Sequence, residues 1–81
     1  MKYNRKSKSV EAIVWDGINL EKVKIFAPKL TCARIFEEDK HLFFMNEYYH
    51  MHTAKIGDYI VKDDIHTYVI SKKIFESEYN I

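Results

Sequence analysis

In the stretch IGDYIVKDDIHTYVIS, Ile56 to Ser71, two short runs rich in β-branched and aromatic residues flank an acidic pair. Gly57-Asp58 is a turn signal leading into Tyr59–Lys62, and Asp63-Asp64 is a second one, because Asp tolerates turn backbone angles and bonds its own backbone. Ile65 to Ile70 then reads as the return strand of a hairpin. Side chains alternate on a strand, so Tyr59 and Val61 share one face and Ile60 takes the other. Ser71 is placed to cap a final helix, about Lys72 to Tyr79, with Ile70 and Phe75 positioned as a hydrophobic staple. Ile74, Phe75 and Tyr79 fall on roughly one side of that helix. Lys72 and Lys73 at its start oppose the helix dipole, so helix stability does not explain them.

The same reading extends outward. Ser9 to Trp15, SVEAIVW, is a strand by composition, with Val10, Ala12 and Val14 on one face and Glu11, Ile13 and Trp15 on the other. It stops at the turn signal Asp16-Gly17. Leu20 to Ala27 is a short helix: Leu20, Val23 and Ala27 are spaced for one apolar face, Asn19 is a candidate cap, and Pro28 ends the helix. Thr31 to Phe36 is the next strand, followed by a charged turn at Glu37-Glu38-Asp39-Lys40. Leu42 to Asn46 and Tyr49 to Thr53 form a hairpin around Glu47-Tyr48. Its LFFM run is apolar in both alternating sets, which predicts a strand covered on both sides or a face covered by another subunit, as in a homodimer. The order β-α-β-β-β-β-β-α with short connections predicts an α+β fold. We expect a small single antiparallel sheet of about five to six strands, with one helix in the N-terminal half and one at the C-terminus.

Eighty-one residues with 47% hydrophobic and 15% aromatic side chains suit one folded domain rather than a disordered chain. Lys2, Arg5, Lys6 and Lys8 give the first eight residues a charge of +4, leaving −3 for Ser9 to Ile81, nine bases against twelve acids. Residues 1–8 are therefore read as a basic flexible arm and residues 9–81 as the domain. Such an arm is either a solvated terminus or an attractor of nucleic acid or an acidic partner. The single Cys32 excludes an internal disulfide and, in the apolar run LTCARIF, is expected as a buried, inert thiol. No apolar run approaches a membrane span, and the basic start lacks the apolar core of a signal peptide. A cytoplasmic protein with no membrane partner is expected.

Little here resembles catalytic chemistry. His50 and His52 alternate along one strand, but a metal site needs a third ligand and supporting partners, and neither is indicated. Asp63-Asp64 diverge on an extended chain and suit a turn better than paired acid–base work. Two isolated glycines make no phosphate loop. We expect no enzyme, no metal and no cofactor. The segment FFMNEYYHMH, Phe43 to His52, stands out because alternation turns some of its aromatic and Met side chains away from the domain's own core. Exposed Tyr, Met and Phe are typical of protein interfaces. The segment has no Lys or Arg, which favours a protein partner, or self-association, over single-stranded nucleic acid. Candidate contact residues are Phe43, Met45, Tyr48, Tyr49 and His50, with the acids Asp58, Asp63 and Asp64.

Three segments together, VEAIVWDGIN (Val10 to Asn19), TAKIGDYIVK (Thr53 to Lys62) and TYVISKKIFESEY (Thr67 to Tyr79), resemble a family of very small phage and prophage proteins. That family carries a V-x-A-x-x-W-D-G start, a central G-D-Y-I-[IV]-[KR] strand and a final I/V-F-E-x-x-Y helix. Pro28 to His52 lies outside the match. Asp63 stands where the family usually has Gly, and Val69 where it usually has Pro. The resemblance implies a phage or prophage origin, a bacterial host cell and a small α+β fold, but no activity. With it comes the expected function: a phage-encoded binding protein that inhibits a host antiviral defence protein, such as a nuclease effector of a CRISPR–Cas system, by direct contact. In that reading Glu37, Glu38, Asp39, Asp58, Asp63 and Asp64 mimic phosphates. The alternatives are an oligomeric sponge for defence signalling nucleotides and a DNA-binding or structural accessory protein using Lys2, Arg5, Lys6 and Lys8.

Overall fold

The computed structural model describes residues 2–5 and 8–79, with side chains from Val10 to Tyr79. The chain runs β1 (Lys2–Arg5), β2 (Lys8–Val14), α1 (Leu20–Phe26), β3 (Thr31–Ile35), β4 (Leu42–Met45), β5 (Met51–Ala54), β6 (Tyr59–Lys62), β7 (Thr67–Ile70) and α2 (Lys72–Glu78). The fold is α+β, but the strands form two antiparallel sheets, not the single sheet expected. In the first, β6 lies between β2 and β7, with β1 added at the outer edge of β2; the second has the order β3-β4-β5. Part of the expected arm, Lys2–Arg5, is thus strand β1, with Tyr3 opposite Val10; residues 1, 6 and 7 lie outside the described residues.

The opening hairpin is the centre of the fold. β6 is buried at Tyr59, Ile60 and Val61, because the first sheet is covered on both faces. On one side Val10, Ala12, Tyr59 and Val61 pack against Phe75 and Tyr79 of the C-terminal helix segment. The Tyr59 and Phe75 rings stack at 4.0 Å and Phe75 and Tyr79 at 4.4 Å. On the other side Trp15 and Ile60 pack with Val23 of α1 and with Leu42, Phe44 and Ala54 of the second sheet. The doubly covered strand is therefore YIVK, not LFFM. In β4 Leu42 and Phe44 are buried, whereas the alternating Phe43 and Met45 are only partly buried.

Turns and caps follow the sequence with three corrections. Ser71 caps α2, its side chain accepting from the Ile74 N–H at 3.4 Å. Asn19 does not cap α1: its Oδ1 accepts from the Asp16 N–H and its Nδ2 donates to the Val14 carbonyl, which ties the preceding turn to β2. Cys32 is exposed rather than buried, because β3 bulges between Thr31 and Arg34 and Cys32 takes φ 56° there. The acidic turn is wider than the Asp63-Asp64 pair. β7 begins only at Thr67, and the Asp63 carboxylate accepts from both the Ile65 and His66 N–H groups at 2.8 Å.

Lys62 supplies the C-terminal cap that the sequence of α1 lacks. Its Nζ donates to the Phe26 carbonyl at 2.6 Å, lies 4.6 Å from the Phe26 ring centre, and sits 3.8 Å from Glu11. A cation at a helix C-terminus opposes the negative end of the dipole and satisfies a carbonyl with no intrahelical partner. Lys62→Met keeps the aliphatic stem against Phe26 and removes the charge. It should destabilise the fold by about 1–2 kcal/mol, most of it from the charge-assisted bond and little from the surface pair. Urea unfolding monitored by circular dichroism measures it, and a variant equal to the wild type would show that this cap is idle.

Candidate interaction surface

The residues singled out from the sequence fall into three places. Asp58 lies in the turn before β6, where its Oδ2 accepts from the Lys55 N–H at 3.0 Å and its carbonyl accepts from Trp15 N–H. The acidic turn Glu37–Asp39 is at this same end, since the Trp15 indole donates to the neighbouring Lys40 carbonyl at 2.7 Å. Asp63 and Asp64 follow β6, about 17 Å further along the strand by its rise per residue. The acids therefore do not form one phosphate-like row; β6 holds them at opposite ends.

At the Asp63 end a cleft of about 530 Å³ opens between three elements. Ala27, Pro28 and Lys29 after α1 form one wall, Glu47 and Tyr48 of the β4–β5 turn a second, and Lys62 to Ile65 the third. So the structure brings Tyr48, Asp63 and Asp64 together although fifteen residues separate the aromatic from the acids. Tyr49 and His50 belong to the same β4–β5 turn, and Tyr49 takes φ 61° there. Tyr48 and Tyr49 are 55% and 73% exposed, which makes this hairpin tip the most prominent aromatic feature of the described surface.

Phe43 and Met45 occupy the third place, the outer face of the second sheet. Met51 stands opposite Met45, Thr53 opposite Phe43, and Arg34 opposite Phe43 on the other side. Phe36 extends the strip, its ring centre 6.1 Å from that of Phe43. Met51 is 70% exposed; it lies in the segment that the sequence singles out but is not among the candidate contact residues. Met45 and Met51 are the last pair of this ladder before the hairpin tip that carries the exposed tyrosines.

Behind that surface lies a polar clasp that sequence reasoning missed. Asn46 is 1% exposed and Thr67 is fully buried, at the junction where the edges of β5 and β7 meet without pairing. Asn46 Oδ1 accepts from the N–H groups of Tyr48 and His50, at 2.9 and 3.0 Å, and fixes the turn. Asn46 Nδ2 donates to the Thr67 carbonyl at 2.9 Å. Glu47 completes the grip, its two carboxylate oxygens accepting from the Thr67 N–H and hydroxyl at 3.0 and 3.1 Å. Two side chains thus satisfy the edge of β7 as a neighbouring strand would, which is why two sheets exist where one was expected.

His50, His52 and His66 gather here without making a metal centre. His50 sits in the turn, so the expected alternation with His52 on one strand does not occur. His52 stacks on Phe44 at 5.5 Å between ring centres, and His66 stacks on Tyr68 at 4.7 Å. Burial first, then the nearby His50 and His66, push the His52 pKa below its ordinary value. Among the described residues no three of His, Cys, Asp and Glu converge as metal ligands would. No helix of the described chain is long and apolar enough to cross a membrane. Comparison with protein families, curated proteins and solved structures finds no match for this chain.

Proposed function

We propose that this chain is a non-enzymatic binding protein that acts by direct contact with another protein. The observation that carries the reading is the strip in which the partly buried Phe43 and Met45 adjoin the exposed Phe36 and Met51, next to a hairpin tip with the exposed Tyr48 and Tyr49. Large apolar and aromatic side chains grouped on one face of a small domain are the composition of an interface core. The carboxylates of Asp39, Asp58 and Asp63 each accept backbone N–H groups of their own turns, which gives them a structural role. The three segments that resemble phage and prophage proteins put the partner, in this reading, among host antiviral defence proteins. The exposed Asp64 beside Tyr48 gives the contact an acidic margin suited to a basic patch on that partner, whereas the Asp63 side chain is buried in its own turn. The face of Phe43 and Met45 would also serve a second copy of the chain.

A pull-down from bacterial host lysate, with the wild type beside a Tyr49→Ser/Met51→Ser double variant, tests the proposal. Both substitutions are at exposed positions, so folding should change little. Central aromatic residues dominate contact energies, and retention of the partner should drop by at least about tenfold in the double variant. A folded wild type that retains no partner counts against a protein-binding role; equal retention by both proteins moves the contact elsewhere.

The cleft favours a second reading, a nucleotide binder. Its size falls within the usual range for small-molecule sites, and Tyr48 offers a ring for a base. Lys29 and Lys62 in its walls suit phosphate, but Glu47, Asp63 and Asp64 oppose it, so this reading ranks second. A thermal-shift panel of mono-, di- and cyclic nucleotides decides it, since any ligand that prefers the folded state must raise the melting temperature.

A further inference from the structure

We propose that the junction between the two sheets is a pH-sensitive latch in which protonation of His52 breaks its bond with Asn46 and loosens the grip of the β4–β5 turn on Thr67. Hydrogen-bond polarity fixes the state of the ring. Asn46 Oδ1 accepts from two backbone N–H groups and Nδ2 donates to the Thr67 carbonyl, so the orientation of the amide is set by its network. Nδ2 also lies 3.3 Å from His52 Nε2. An amide nitrogen only donates, so His52 Nε2 must be the unprotonated acceptor, and the ring is neutral with its proton on Nδ1. A proton arriving at Nε2 sets two donors face to face. The Asn46 side chain cannot rotate to relieve this without surrendering the Tyr48, His50 and Thr67 bonds together.

The surroundings add to the effect. His50 of the same hairpin and His66 from the β6–β7 turn stand near His52, and each becomes a further positive charge when protonated. Glu47 from the β4–β5 turn has both oxygens on Thr67. Asp63 faces His66, with 3.4 Å between its Oδ1 and His66 Nδ1, an atom buried with no hydrogen-bond partner. The rings of Tyr48 and Tyr68 also pack against His66.

The folded-state value of His52 is lowered from 6.5, so its contribution to stability is complete above that value and is lost as pH falls through the lowered one. Glu47 and Thr67 then hold the junction alone. Because Glu47 and Tyr48 also line the cleft, acidification reshapes the hairpin tip from behind. The latch rests on the junction's own geometry, whichever partner the surface takes.

Amide hydrogen exchange at pH 7.5 and pH 5.5, corrected for intrinsic rates, reads the latch at the amides it protects. Exchange at Tyr48, His50 and Thr67 should quicken by about tenfold or more at the lower pH, as the bonds that shield these amides open more often. His52→Gln keeps an acceptor that does not titrate, and its exchange at these amides should not respond over this range. Unchanged protection in the wild type, or an equal response in His52→Gln, overturns the proposal. If that variant does not fold, the nitrogen chemical shifts of the wild-type His52 ring decide: a proton on Nε2 at pH 7.5 refutes the latch, and an unprotonated Nε2 with the proton on Nδ1 supports it.

Discussion

Trp15→Ala should remove a large share of the stability of this protein. Trp15 is fully buried where β2, α1 and the second sheet meet, beside Val23, Leu42, Phe44 and Ile60. Truncating a buried Trp to Ala costs about 3–5 kcal/mol, from lost transfer energy and from the cavity left behind. An 81-residue chain has on the order of 4–12 kcal/mol in total. The indole N–H also donates to the Lys40 carbonyl at 2.7 Å, and that bond goes too. No other large side chain is available to refill the site from the same strand, because Ile13 and Val14 already pack in place. Trp15→Phe keeps a ring but loses the N–H, and its stability should fall between those of the wild type and Trp15→Ala. Urea unfolding followed by far-ultraviolet circular dichroism gives the order, since the signal does not depend on the indole. A Trp15→Ala protein within about 1 kcal/mol of the wild type would mean that the core relaxes far more than buried sites usually do.

The core is legible in the sequence because it is periodic. Alternation in SVEAIVW separates Val10 and Ala12 from Ile13 and Trp15, and the two sets do enter the two different cores. The apolar face of α1, the stop at Pro28 and the Ser71 cap also come from local chemistry that acts within a turn or two. What fails to show is anything depending on which face another element covers. LFFM and YIVK look alike in hydrophobicity, yet only YIVK is covered on both sides. That difference lies in the packing of the second sheet against the first, and no period within either strand encodes it. Cys32 shows the same limit at one residue: its neighbours are apolar, but the bulge in β3 turns it outward.

The sheet count is illegible for a different reason. Strand pairing leaves a trace in sequence because ladders alternate, whereas the β5–β7 junction is made by Asn46, Glu47 and Thr67, polar residues without a repeat. Asn46 reads as the end of a strand and Glu47 as an ordinary turn residue, and nothing in HTYVI marks Thr67 as their target. The candidate surface inherits the difficulty. Tyr48 and Asp63-Asp64 belong to separate turns, and the clasp is what brings these turns to one cleft. Tyr49, in contrast, is exposed, and Phe43 and Met45 are partly so, because too many large side chains are packed into one short hairpin for all of them to turn inward.

The clasp is also where the second large effect is expected. Asn46→Ala strands four groups at once: the Tyr48 and His50 N–H groups, the Thr67 carbonyl and His52 Nε2. A buried polar group left without a partner costs about 1–3 kcal/mol. The turn amides can reach water after a small opening, but the Thr67 carbonyl is held at a buried residue, so a total of about 2–4 kcal/mol is expected. Asn46→Asp divides the effect. It keeps the acceptor for Tyr48 and His50, and it sets a carboxylate against the Thr67 carbonyl and His52. Protonated His52 then gains an opposite charge where the wild type offers a donor, so the direction of its titration reverses. Wild-type stability should rise as pH increases through the histidine range, whereas that of Asn46→Asp should fall over the same range. Urea unfolding at a series of pH values from about 5 to 8 measures both slopes around the histidine value. Slopes of the same sign in the two proteins would show that His52 does not answer to the side chain at position 46, and that the junction is held by Glu47 and Thr67 without it.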